Sequence, residues 1–185
     1  PELDLPGTED GLTISVTDGA DTVVAGTVQD YTVEVGNEGS AKIQALVSYT
    51  RPEQASGVPG SSWTVTRRDG GGDIVSGWPE SGTLSLNIPI TKQQMTLVTL
   101  PAGSSVTFTL SVSIRPDAVG ELAVSVEAGK EGLMPYTEAA ADTDELSGKA
   151  DLTVTIDDSK TRLAPGEAAP YKVRVTNNGP SNVSG

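Results

Sequence analysis

The sequence predicts an all-β chain: an immunoglobulin-like antiparallel β-sandwich in tandem repeat, with a partial second module. Three features of the 185 residues predict this. Apolar and polar residues alternate in several short runs, as half-buried strands require. Glycine, proline and asparagine punctuate those runs at turn-like spacing. A stretch near the start also returns without a gap at an offset of 140 positions, the mark of a repeat architecture.

The first run sets Leu12, Ile14 and Val16 on one face and Thr13, Ser15 and Thr17 on the other. The next pairs Tyr31, Val33 and Val35 against Thr32 and Glu34, and ends at the turn Asn37-Glu38-Gly39. Ile43, Ala45, Val47 and Tyr49 form a third apolar face. Shorter strands are predicted near 62–67, 83–88 and 94–100. Pro101-Ala102-Gly103 then opens the longest alternation, Val106 through Phe108, Leu110 and Val112 to Ile114. Asp117-Ala118-Val119-Gly120 closes it, and Leu122, Val124 and Val126 follow. No long stretch carries helical periodicity, and one wet face per strand fits a sandwich better than a parallel sheet.

The repeat divides the chain. Leu12, Thr13, Asp18, Gly26, Tyr31, Asn37 and Gly39 recur as Leu152, Thr153, Asp158, Gly166, Tyr171, Asn177 and Gly179. Residues 1–10 therefore read as a linker, 11–150 as one complete module and 151–185 as the first strands of a second, incomplete one. The segment 128–150 reads as the connector that sets spacing and bend. The opening Pro1-Glu2-Leu3-Asp4 has the look of a mature or internal start, and the whole of an excerpt from a longer array.

Composition limits the chemistry. The chain has no cysteine and no histidine, which removes disulfides, thiolate and imidazole ligands and every Ser-His-Asp or Cys-His device. A non-enzyme is expected. Net charge is −13, so phosphate backbones and anionic lipid are repelled and nucleic acid is not an expected partner. No apolar run approaches the ~18 residues of a membrane span, so this segment is not expected to insert.

The order D-L-T-V-T, then A-P-G, then Y-K-V-R-V-T-N-N-G-P-S over 151–181 resembles repeats of the bacterial domain-of-unknown-function-eleven family. L-P-A-G-S-S-V-T-F-T-L-S-V at 100–112 is similar to that family's late strand. The resemblance implies an extracellular, immunoglobulin-like surface repeat with no catalytic residues. It also implies that an acidic stretch, here Asp142-Thr143-Asp144-Glu145, precedes the next module. Such repeats often carry a lysine in the first strand; Leu12–Thr17 and Leu152–Ile156 have none, which disfavours an internal isopeptide cross-link.

The candidate site is carboxylate-based. Asp142, Asp144 and Glu145, with Asp157 and Asp158, gather around the module junction as possible calcium ligands; no other cofactor is expected. The alternative for these residues is plain solvated acidic surface. Asp18 and Asp21 read as turn residues without a cleft partner, and at least one of Trp63 and Trp78 as core. The expected function is a structural or scaffolding module of a cell-surface stalk or filament. Its partners are neighbouring repeats or identical subunits, with strand pairing between subunits as one mode of assembly. An adhesin or carbohydrate-binding module is the alternative.

Overall fold

The computed structural model describes residues 11–56, 60–84, 92–132 and 136–183. Among them there is no helix, and thirteen strands follow in chain order. The first group is β1 (Leu12–Thr17), β2 (Thr22–Val24), β3 (Val28–Asn37), β4 (Ile43–Thr50) and β5 (Ser62–Asp69). Next come β6 (Asp73–Ile74), β7 (Ser81–Thr83), β8 (Lys92–Leu100), β9 (Ser104–Ser113), β10 (Glu121–Lys130) and β11 (Glu138–Ser147). The last two are β12 (Leu152–Asp157) and β13 (Lys172–Asn177).

Strands β1 to β11 make a two-layer, immunoglobulin-like sandwich. One sheet has the order β1-β3-β9-β5-β7, the other β2-β11-β10-β4-β8-β6. The alternating residues predict the inner faces: Val33, Val35, Val106, Phe108, Leu110 and Val112 in one layer, Ala45, Val47, Leu122, Val124 and Val126 in the other, all fully buried. Trp63 is core and meets Phe108 edge-on, with ring centroids 6.0 Å apart, while Trp78 is exposed. Each large apolar side chain buried this way contributes about 1.5–3 kcal/mol, which replaces the disulfide of antibody domains as the link between layers.

Two expectations need correction. The segment 128–150 is not a connector, because β10 runs to Lys130 and β11 is a full strand of the sandwich; only Gly148–Asp151 joins β11 to β12. The sandwich is not wholly antiparallel, because β2 pairs parallel with β11, Thr22 opposite Glu145 and Val24 opposite Ser147. The cause is the path of the chain: after β1 it passes to the other sheet, where β2 meets β11 running the same way. Of the strand expected at 83–88, Thr83 ends β7, and residues 85–88 lie outside the described ones.

β12 and β13 form a separate two-stranded sheet. Their register runs from Leu152 opposite Asn177 to Asp157 opposite Lys172. β1 and β3 run from Leu12 opposite Asn37 to Thr17 opposite Thr32, so every pair reappears 140 positions on. The turn chemistry reappears too. Asn37 Oδ1 accepts the Gly39 amide and Nδ2 donates to the Ala41 carbonyl; Asn177 does both with Gly179 and Ser181. The surroundings differ. Val33 and Val35 are sealed beneath the second layer, whereas Leu152, Val154, Ile156, Tyr171, Val173 and Val175 are all more than half exposed.

Candidate functional site

The site is built where the chain changes sheets. Beyond β1 it turns at Asp18-Gly19-Ala20, held by the Ala20 amide donating to Asp18 Oδ1 (2.8 Å) and the Gly19 amide donating to Thr17 Oγ1 (3.0 Å). Short side-chain acceptors of this kind stabilise turns by replacing strand partners. The turn passes β11, whose Ala140, Asp142, Asp144 and Leu146 point inward while Ala141, Thr143 and Glu145 point to solvent. Two aspartates thus occupy positions at which a sandwich strand ordinarily carries apolar residues.

Both are tied to the fold. Asp142 Oδ2 accepts the Asp18 amide at 2.9 Å. Asp144 is wholly buried, and its Oδ2 accepts the Tyr31 hydroxyl of β3 at 2.5 Å, across the two layers. One carboxylate oxygen from each of Asp18, Asp142 and Asp144 lies within 4.8 Å of the other two. Asp18 Oδ2 and Asp144 Oδ1 are buried and accept no hydrogen bond. Among the described residues no lysine or arginine pairs with these carboxylates.

The electrostatics follow. Burial holds the Asp144 carboxyl above the ordinary carboxylate range; the Tyr31 hydrogen bond opposes this, and the charges of Asp18, Asp142 and Asp21 add to it. Burial and the hydrogen bond to Asp144 also raise the Tyr31 hydroxyl, so it remains a donor at any ordinary pH.

Of the five candidate ligands, Asp142 and Asp144 come together. Glu145 does not join them, because strand alternation turns it to the outside. Asp157 and Asp158 close β12 on the separate hairpin, where Asp157 caps Ser159 and Asp158 caps Lys160, and neither belongs to the cluster. The third carboxylate is Asp18, which the sequence presents, with Asp21, as a turn residue without a cleft partner. Reading Ala140, Asp142, Asp144 and Leu146 as one strand face would have paired Asp142 with Asp144, though not with Asp18.

A second feature is the contact between hairpin and sandwich. The loop after β13 docks on the sandwich end: buried Ser181 Oγ donates to the Ala25 carbonyl (2.7 Å), and the Asn182 amide donates to the Pro116 carbonyl (2.8 Å). Ser181 Oγ accepts the Lys149 amide, and the Lys149 carbonyl accepts the Ser181 amide. Gly26, at φ +86°, lets this loop approach, since a Cβ there would lie 1.9 Å from the Pro180 carbonyl oxygen. A cleft of about 720 Å³ opens beside the contact, lined by Ala25, Val119, Leu146, Leu152 and Val175 among others.

Neither a protein-family model nor a curated protein matches the chain. Solved structures are similar to it at low identity. AvmM, which catalyses macrocyclization in alchivemycin A biosynthesis, is 13% identical with a TM-score of 0.50 over 76% of this chain and 90% of its own. The CARDB domain of the PF1109 protein from Pyrococcus furiosus, solved in complex with di-metal ions, is 12% identical with a TM-score of 0.42, over 74% of this chain and 87% of that one. The collagen-binding domain of a Staphylococcus aureus adhesin is 12% identical with a TM-score of 0.39, over 73% of this chain and 97% of that domain. At such identities the likeness concerns the all-β sandwich fold alone. No helix among the described residues is long and apolar enough to cross a membrane.

Proposed function

We propose that this chain belongs to a structural, non-enzymatic repeat protein of a cell surface, with residues 11–150 one sandwich module and 151–185 the opening strands of the next. The observation that carries the reading is the register of β12–β13, which reproduces that of β1–β3 while leaving its apolar face bare. A two-stranded hairpin is marginal on its own. In the first module the same hairpin is completed by β9 at its free edge and by β10 and β11 across its face. The occupant that fits the bare hairpin is thus the remainder of a second sandwich on the same polypeptide. The polar docking of Ser181 and Asn182 gives successive modules a defined junction, as a stalk or filament requires. The resemblance to domain-of-unknown-function-eleven repeats supports an extracellular setting.

A chimera tests the modular part. Residues 38–150 are appended after Asn177, so that β12–β13 can nucleate a second sandwich; a direct duplication of 11–150 serves as control. Backbone amides of β12 and β13 are expected to become as slow to exchange with deuterium as those of β1 and β3. Fast exchange there, with a control that folds as two modules, would overturn the proposal. Labelling of intact producing cells with a membrane-impermeant amine reagent tests the location, and an unlabelled protein would exclude the surface.

A further inference from the structure

We propose that Asp18, Asp142 and Asp144 form a binding site for a hard divalent cation of the calcium type, seated where β1 hands the chain to the second sheet. The proposal concerns the sandwich alone and does not depend on its being repeated.

The division of labour among the carboxylate oxygens points to a ligand. Each aspartate spends one oxygen on the fold: Asp18 Oδ1 on the Ala20 amide, Asp142 Oδ2 on the Asp18 amide, Asp144 Oδ2 on the Tyr31 hydroxyl. The remaining oxygens of Asp18 and Asp144 are buried and receive nothing. Asp144 is 0% exposed, so water does not satisfy its second oxygen from bulk solvent. A buried charged acceptor left unmatched is costly, and among the described residues no lysine or arginine pairs with it.

The geometry suits such an ion. Calcium binds carboxylate oxygens at about 2.3–2.6 Å, so oxygens on opposite sides of one ion stand up to about 5 Å apart. The mutual limit of 4.8 Å among the ligand atoms here falls inside that span. Three carboxylates and oxygen-only chemistry select a hard cation over zinc or copper, which prefer nitrogen and sulfur. Magnesium is a poorer match, because Asp18 and Asp142 are fixed by backbone contacts and cannot easily adopt a strict octahedron. Bound there, the ion ties the β1–β2 crossover to β11 and so joins the two sheets at their edge.

Terbium(III), a luminescent calcium substitute, provides the direct test, since the Tyr31 ring lies against the site and can sensitise it. The whole chain is expected to show tyrosine-excited terbium emission that calcium competes away, and calcium alone is expected to raise its melting temperature. Asp144→Asn keeps the acceptor for Tyr31 and the shape of the residue. It should fold at least as well as the parent without calcium, yet lose at least tenfold in terbium affinity and the calcium-induced shift. Asp142→Asn should behave alike in affinity, and Glu145→Gln, on the outer face, should not. Absence of terbium and calcium binding at millimolar concentration in the parent chain would overturn the proposal. So would equal affinity in parent, Asp142→Asn and Asp144→Asn.

Discussion

The Tyr31 hydroxyl reaches across the sandwich to donate to Asp144, whereas Tyr171, 140 positions on, stands more than half exposed. One residue type at one place in a repeated hairpin is a cross-layer tie in the first copy and a bare ring in the second.

Tyr31→Phe removes the hydrogen bond that, among the described residues, alone reaches the buried Asp144 carboxylate. Hydrogen bonds to charged groups are worth about 1.5–3 kcal/mol, and the variant should lose that much in urea unfolding without added cations. Tyr171→Phe should lie within about 0.5 kcal/mol of the parent. Equal effects at the two positions would show that the tie contributes nothing.

A second contrast uses the core. Phe108→Ala deletes a ring that is fully buried against Trp63 and should cost about 3–5 kcal/mol. Ile156→Ala should change the unfolding midpoint of the sandwich little, because its side chain is 66% exposed and lies on the separate hairpin. Denaturation followed by tryptophan fluorescence reads both.

Gly26→Ala places a methyl group where the Pro180 carbonyl lies and strains a backbone at φ +86°. The loop 180–182 should leave its seat, with amide exchange at Ser181 and Asn182 accelerated at least tenfold. Ser181→Ala should free the Lys149 amide and the Ala25 carbonyl in the same way. Unchanged protection in both variants would mean that the junction is not held by these contacts.

Alkaline pH should weaken the fold through Tyr49. Burial pushes its hydroxyl up to about 12, against the opposing hydrogen bond with Ser61. The folded value exceeds the unfolded one of about 10, so the contribution is complete below about pH 10. It is lost as pH rises through about 12. Urea midpoints should fall over that window, less steeply in Tyr49→Phe, while tyrosinate absorbance follows the ionisation.

Where hydrophobic alternation is unbroken, as from Val106 to Ile114, the strand and its buried face are legible in the sequence. β11 was not, because its inward positions include Asp142 and Asp144, and polar residues facing inward erase the period-2 signal. Such violations of local pattern gather where a fold does something besides pack. Asp18 was illegible for another reason: its partners lie 124 and 126 positions away, brought near by the crossover between β1 and β2. β2 and β6, at three and two residues, are too short to carry a period. The parallel pairing of β2 with β11 depends on the path of the chain, which no local window contains.

That parallel pair has a mechanical consequence. β2 lies near the chain's entry to the sandwich and β11 at its exit, side by side and pointing the same way, with the Ala25 amide bonded to Ser147 and the Glu145 amide to Asp21. Tension applied at the two ends slides these strands past one another, so their hydrogen bonds strain together rather than open in turn like a zip. A sandwich stretched from its ends therefore meets its stiffest resistance at this pair.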